Sequence, residues 1–415
     1  MKILMCNKFH FIHGGAERYL FDLCRGLKDV GHEVFHFSTQ DDRNFDSECR
    51  KFFVGKPDYH KEMRGDLLSK IRTGKDFIYS FEAKDQVGRL IDEHRPQVAH
   101  IHNIYHQISP SILDVLKKRR IPVVMTLHDY KIICPNYKLY AHGKMCEACN
   151  GRKYYQCFLK KCIKNSWHAS FLGMTEAYTH AFLRSYDVVD RFIAPSRFVF
   201  EKVLEFGVPR GRLMCLPYAI DLSGFSEGGR AGKYVVYSGR LLAEKGLLTL
   251  LESLKYLPGL QLKIVGDGPF RSELAGFVSS LGLTPRVELL DHRSRAELSV
   301  ILCDAICVVV PSQWPEPAGL VIYEAFASGK CVIASDAGGI SGLIEDGVNG
   351  LLFEAGKADE LAHKIRYVVE HPEKARAWGK NGSLMIRQGN DLKAHVMRMQ
   401  GIYHDVLNLR SKDHA

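Results

Sequence analysis

The feature that most narrows the fold is an alternation repeated along the chain: short apolar runs followed by amphipathic stretches of helical period. Residues 2–6 read as a buried strand, and Gly14-Gly15-Ala16-Glu17-Arg18 then opens a helix. That helix places Leu20, Leu23, Cys24 and Leu27 on one face and stops at Gly31. Further apolar runs fall at Glu33–Phe37, Val98–Ile101, Val123–Leu127 and Phe192–Ala194, with helical patterns such as Ile112–Lys118 between them. A second series begins near Leu213, with runs at Tyr234–Tyr237, Leu262–Val265, Val287–Leu290, Ile306–Val310 and Val332–Ala334. Such alternation predicts parallel sheets covered by helices on both faces, in an α/β chain of two Rossmann-like lobes. The boundary is read within Leu213–Asp221, giving an N-terminal domain of residues 1–211 and a C-terminal domain of residues 212–391. A final helix, residues 392–415, is expected to return to the first domain.

Composition agrees with a folded chain: 46% hydrophobic and 25% charged over 415 residues, with room for two domains. No run approaches the ~20 apolar residues of a spanning helix. The N-terminus lacks the layout of a signal peptide, so a cytoplasmic location is expected. Residues 1–211 hold 34 Lys and Arg against 24 Asp and Glu, whereas residues 212–415 hold 23 of each, so the N-terminal half carries the whole excess of +10. Dense spots are Lys117–Arg120 and the series Arg152, Lys153, Lys160, Lys161, Lys164. A basic lobe suits an anionic membrane surface or a phosphorylated substrate, and equally a solvated face. No nucleic-acid recognition motif accompanies it, so no nucleic-acid partner is expected.

Ligands of open parallel sheets bind beyond the carboxyl ends of the strands, and the chemically suggestive residues fall there. Arg240 and Lys245 share one loop, where a guanidinium fork and an ammonium could neutralise a diphosphate. Gly266-Asp267-Gly268-Pro269 is a tight turn open to close backbone approach. Pro311–Leu320 carries Glu316, Ala318, Gly319 and Leu320 into a helix bearing Glu324. That helix start offers amides to phosphate, and the two carboxylates can accept from sugar hydroxyls. Ser335–Ile340 reads as a wall of the same site. In the first lobe Gly14, Gly15 and Arg18 follow a strand, as do His128 and Asp129; His100, His102 and His106 are weaker candidates near another strand end.

Taken together, these segments resemble the retaining GT-B glycosyltransferases of glycosyltransferase family 4. The resemblance rests on Arg240, Lys245, Gly266–Pro269, the Glu316/Glu324 pair, Gly14–Arg18 and Leu216–Asp221, and spans nearly the whole chain. It implies the GT-B fold, with sheets facing across a cleft. It implies a hexosyltransferase moving sugar from a UDP- or GDP-sugar to a glycan or polyprenyl-diphosphate-linked acceptor with retention, without a catalytic metal, in surface polysaccharide or glycolipid assembly. Arg240 and Lys245 would bind the diphosphate, Glu324 the ribose and Glu316 the sugar, with His128 as a catalytic-side contact. Ala318, Tyr218-Ala219 and Asp291 depart from the usual Phe, Asn-Gly and Gly. A nucleotide-sugar epimerase and a non-catalytic nucleotide-sugar binder are the alternatives.

Five of the twelve cysteines cluster in an insertion, residues 134–165. Cys146-x2-Cys149 and Cys157-x4-Cys162 could hold a structural zinc, with Cys134 to spare. Such a metal would brace the insertion and do no chemistry.

Overall fold

The computed structural model describes residues 1–55, 74–226 and 232–412. Two compact units divide the chain. The first gathers Met1–Ala141, Cys146–Leu216 and the chain from His395 on; the second gathers His142–Met145 and Pro217–Ala394.

The first unit is built on six parallel strands: β1 (Lys2–Cys6), β2 (Glu33–Phe37), β3 (Val98–Ile101), β4 (Val123–Thr126), β5 (Arg191–Ala194) and β6 (Leu213–Cys215). Their order is β2-β1-β3-β4-β5-β6. Strands β3 and β4 are buried at every position, which is why they read as near-continuous apolar runs, interrupted by His100 and Thr126, rather than alternating ones. The flanking helices are α1 (Gly15–Asp29), α2 (Phe81–His94), α3 (Ser111–Lys118), α4 (Tyr155–Leu159), α5 (Trp167–Phe182) and α6 (Arg197–Glu205). Ser80, Ser166 and Ser196 start α2, α5 and α6, each side chain accepting from the backbone N–H three residues on.

Strand β6 was read from sequence as the opening of the second series. It instead completes the first sheet, with Leu213 opposite Phe192 and Met214 opposite Ile193. Three residues carry too little pattern to reveal their partner.

The second unit repeats the plan with β7 (Tyr234–Ser238), β8 (Leu262–Val265), β9 (Val287–Leu290), β10 (Ala305–Val310), β11 (Val332–Ser335) and β12 (Gly350–Phe353). The order is β9-β8-β7-β10-β11-β12, all parallel. Strand β12 had no sequence counterpart, since it opens on Gly350, which weakens a strand pattern. Helices α7 (Leu247–Ser253), α8 (Arg271–Ser280), α9 (Arg295–Cys303), α10 (Leu320–Ala327), α11 (Ala358–Glu370) and α12 (Pro372–Gly389) cover the sheet. The core joins Leu247, Leu250 and Leu251 of α7 to Val309, Ile333 and Ile365, all fully buried. Each such side chain contributes about 1.5–3 kcal/mol.

Helix α13 (Leu392–Lys412) lies in the first unit from His395 onward. Its Val396, Met399, Tyr403 and Val406 form a buried helical stripe. His395 Nε2 pairs with Tyr19 Oη at 2.8 Å, Tyr403 Oη with His100 Nδ1 at 2.7 Å, and Arg410 Nε donates to Asp190 Oδ1 at 2.9 Å. No described helix is long and apolar enough to cross a membrane.

Candidate functional site

In the second sheet the chain order reverses between β7 and β10. A cavity for ligand opens at such a switch point, beyond the carboxyl ends of the two strands. The loop after β7 and the loop after β10 are stitched together there. Gln313 donates through its backbone N–H to the Glu244 carbonyl at 2.9 Å, and through Nε2 to Thr249 Oγ1 at 3.1 Å. Gly246 sits at φ +71°, and a Cβ there would collide with the Pro311 carbonyl oxygen. Glycine is therefore demanded both by the dihedral and by the neighbouring loop.

This stitching brings Lys245 and Glu316 into contact. Lys245 Nζ lies 2.8 Å from Glu316 Oε1, with side chains 19% and 9% exposed. The same ammonium stands 5.6 Å from the Trp314 ring centroid, within cation–π range. The indole Nε1 of Trp314 is buried without a hydrogen-bond partner among the described residues. Beneath the loop, Tyr237 Oη donates to the Arg240 carbonyl at 2.9 Å. Burial, and then the negative charge of Glu316, push the Tyr237 hydroxyl well above its usual range, against the pull of Arg240. Arg240 and Glu316 thus act on one buried hydroxyl.

Glu316 is fixed from behind by the Gly338-Gly339 turn. Gly339 N–H donates to the Glu316 carbonyl at 2.6 Å. Gly338 has φ +66°, and a Cβ there would come within 2.6 Å of Pro315 and 2.7 Å of Glu316 backbone. Gly319 precedes α10 with no side-chain cap; Ile322 N–H donates to the Gly319 carbonyl at 2.8 Å, so the Leu320 and Val321 amides before it are left to water or ligand. Ala318 and Leu320 are half-buried beside it, and Glu324 lies one turn inside, 6% exposed. Gly266 and Gly268 serve the protein itself: a Cβ on either would collide with the carbonyls of Gly239 or Leu241. They bring the Gly-Asp-Gly-Pro turn hard against the loop that carries Arg240. Asp291 pairs with Arg271 at 2.8 Å.

The first sheet reverses between β1 and β3. Asn7, after β1, binds across that point: its Oδ1 accepts from Asn103 N–H at 3.1 Å, and its Nδ2 donates to the Phe9 carbonyl at 2.8 Å. Gly14 is the extended residue before α1, at φ −169°; Gly15 is exposed and Arg18 half-buried. His128, after β4, has Nε2 2.7 Å from Nδ1 of His102, after β3. His100 lies 4.2 Å from His102, centroid to centroid, and contacts Thr126 Oγ1 at 2.7 Å. Burial lowers His100 and His128 to about 3, so these are neutral imidazoles near neutral pH. Burial raises Asp129 to about 6, against the opposing Lys131 N–H and the Lys8 and Lys131 charges. His106 lies apart, near Glu176 and Lys131. Sequence gave His128 priority over His102, yet the two rings form one unit.

The cysteines of the insertion, for which a structural zinc is expected, lie near one another: Cys149 feels the charges of Cys134, Cys162 and Cys146. Among the described residues no three His, Cys, Asp or Glu side chains stand so as to hold a metal ion. Cys157 Sγ and Cys162 Sγ lie 2.9 Å apart, whereas two thiolates on one tetrahedral zinc stand roughly 3.8 Å apart, given Zn–S bonds of about 2.3 Å. Cys134 donates to Asn136 Oδ1 at 3.0 Å.

The sequence pattern described as "Glycosyltransferase Family 4" matches residues 13–223, just over half of the chain, and that of "Glycosyl transferases group 1" matches residues 227–385. An uncharacterized glycosyltransferase of Methanocaldococcus jannaschii is 24% identical over 98% of this chain and 99% of its own length. An uncharacterized protein of the cps region in Klebsiella pneumoniae is 25% identical over 83% of this chain and 87% of its own. The Anabaena protein HepE, crystallised in complex with UDP, superposes with a TM-score of 0.70 at 20% identity, over 98% of this chain and all of that one. Sucrose-phosphate synthase of Thermosynechococcus elongatus reaches 0.72 at 20% identity, over 98% and 99%. The two switch-point sheets are those of the GT-B fold, and the chain belongs to glycosyltransferase family 4, followed by a glycosyl transferases group 1 region.

Proposed function

We propose that this glycosyltransferase moves a hexose from a UDP- or GDP-sugar to a glycan or polyprenyl-diphosphate-linked acceptor, with retention and without a metal, in surface polysaccharide or glycolipid assembly. The cytoplasm, at the inner membrane face, is the proposed location. The observation that carries the donor reading is the Lys245–Glu316 pair, set at the switch point beside the uncapped start of α10. On donor binding the diphosphate takes Lys245 and Arg240, and Glu316 turns to the sugar hydroxyls. Glu324 accepts from the ribose. The anomeric carbon–phosphate oxygen bond breaks, the acceptor oxygen bonds to that carbon on the same face, and the acceptor proton leaves with the diphosphate. Charge grows on the leaving group in the transition state, where fixed cations and amides stabilise it more than in the ground state. The UDP-bound relative and the cps-region relative support a nucleotide-sugar donor and a polysaccharide setting.

The test is nucleoside-diphosphate release from UDP-, GDP- and ADP-sugars in EDTA, with and without a lipid-extract acceptor. Slow release from one donor, accelerated by the extract and lost in Glu316→Ala and Lys245→Ala, is expected. Dependence on added divalent metal would refute the metal-free reading. Sugar conversion without acceptor would move the epimerase alternative ahead, and binding without turnover the non-catalytic one.

A further inference from the structure

Helix α5 has its polarity reversed. It buries Ser170, Gly173, Glu176 and His180. Glu176 Oε2 accepts from Lys131 Nζ at 2.6 Å, His180 Nε2 meets the Ile78 carbonyl at 2.9 Å and its Nδ1 meets Ser185 Oγ at 3.0 Å. A Cβ on Gly173 would collide with Ile163. The outward face carries Trp167, Phe171, Tyr178 and Phe182, exposed by 45%, 54%, 40% and 87%. A surface helix ordinarily buries its apolar stripe and wets its polar one. Here the buried ion pair fixes the rotation of the helix, so the aromatics cannot turn inward.

Helix α4 packs beside α5 and widens the patch. Phe158 lies 4.8 Å from Trp167 and 5.9 Å from Phe171, and Tyr154 lies 5.2 Å from Tyr178, centroid to centroid. Tyr155 and Leu159 add exposed apolar surface. The charge around these rings has one sign: residues 150–175 contain Arg152, Lys153, Lys160, Lys161 and Lys164, and no Asp or Glu. Lys161 Nζ stands 4.5 Å over the Trp167 ring.

Aromatic rings with a polar edge, bordered by flexible cations, suit the boundary between headgroups and acyl chains. We propose that the α4–α5 face is a docking surface for anionic lipid headgroups: the rings enter the interface while the cations meet the phosphates. A second copy of this chain is a poorer occupant, because a two-fold contact would set the same five cations against themselves. Docking needs only the folded chain, so it stands or falls separately from the donor reading.

The full chain is sedimented with phosphatidylcholine vesicles and with vesicles that also contain phosphatidylglycerol, while tryptophan emission is followed. Binding to the anionic vesicles alone is expected, with a blue shift that disappears in Trp167→Phe. Trp167→Ser/Phe171→Ser is expected to weaken partition at least tenfold. Lys160→Gln/Lys161→Gln/Lys164→Gln is expected to weaken it about a hundredfold, at about tenfold per 1.4 kcal/mol and about 1 kcal/mol per cation. Unchanged melting curves would show that both variants fold. No binding, equal binding to neutral vesicles, or anionic binding with no response of Trp167 would each overturn the proposal. So would a concentration-dependent dimer that Trp167→Ser abolishes.

Discussion

Lys245→Met separates a donor site from a structural ion pair. At 2.8 Å the gross attraction of the pair is about 6 kcal/mol at an effective dielectric of 20. Most of it offsets the desolvation of a half-buried ammonium and a buried carboxylate, leaving about 1.5–3 kcal/mol net. Lys245→Met leaves Glu316 nearly buried and unpaired, so melting should drop by about 4–8 °C for a unit of this size. Glu316→Gln should cost less, and the double variant should recover part of the loss. Nucleotide affinity adds the decisive sign. If Lys245 is meant for a diphosphate, Lys245→Met weakens binding about 30–100-fold. Glu316→Gln removes a competing carboxylate and should tighten free UDP or GDP about 3–10-fold by calorimetry, while transfer falls about 10²–10³-fold. Lost stability with nucleotide affinity unchanged in both single variants would refute this reasoning.

Four further outcomes are expected. His100 and His128 are held near 3 by burial, while in the unfolded chain they bind protons near 6.5. Stability is therefore full above about pH 6.5 and falls by up to about 1.4 kcal/mol per pH unit per histidine toward pH 3; urea midpoints across that window should show it, with a shallower slope in His100→Gln. Gly246→Val, at φ +71° against the Pro311 carbonyl, should cost about 2 kcal/mol or more in a thermal melt. Lys131→Met strands Glu176, whose side chain is 1% exposed, and should cost about 3–5 kcal/mol, partly restored by Glu176→Leu. The Cys157 and Cys162 sulfurs are 2.9 Å apart, and their hydrogen bond holds Cys162 below the usual thiol range. Mild oxidation should link this pair before any other, as peptide mapping would read.

The sheets were legible because parallel strands buried on both faces need near-continuous apolar runs, and β1, β3, β4, β8 and β11 have them apart from single polar residues such as His100 and Lys263. Two edge strands were not: Leu213–Cys215 has only three residues and Gly350–Phe353 opens on a glycine, so only the neighbouring strand defines them. The loops after β7 and β10 stood out in the sequence because Gly, Pro and charged residues crowd after those strands. Which partners they choose was not legible. Gly266 and Gly268 read as openings for a ligand, yet the space beside them is filled by backbone of the Arg240 loop. Gly338 read as wall, yet it is what lets the chain brace Glu316. The Cys spacing shows thiols gathered in one insertion, but that Cys157 and Cys162 come to hydrogen-bond distance is set by how the chain leaves α4, which spacing alone does not encode. Which face of α5 is buried has no signal in its own sequence: the buried Glu176–Lys131 pair sets it.

The pairing of Lys245 with Glu316 also bears on how such a site stays folded while waiting for its substrate. Two cations held close for a diphosphate would repel each other and destabilise the loop when no phosphate is present. The structure spends one of them on its own carboxylate, leaving Arg240 the more exposed cation. On the proposed donor reading, binding is an exchange of one anion for another at Lys245, with no new charge desolvated at that atom, and Glu316 is released when a sugar arrives to be held. Coupling of this kind predicts that donor sugar and diphosphate recognition are not additive. Removing Glu316 should strengthen the nucleoside diphosphate and weaken the advantage of the full nucleotide-sugar over it. A ratio of the two affinities that is unchanged between the native chain and Glu316→Gln would show that the carboxylate is not the exchanged partner.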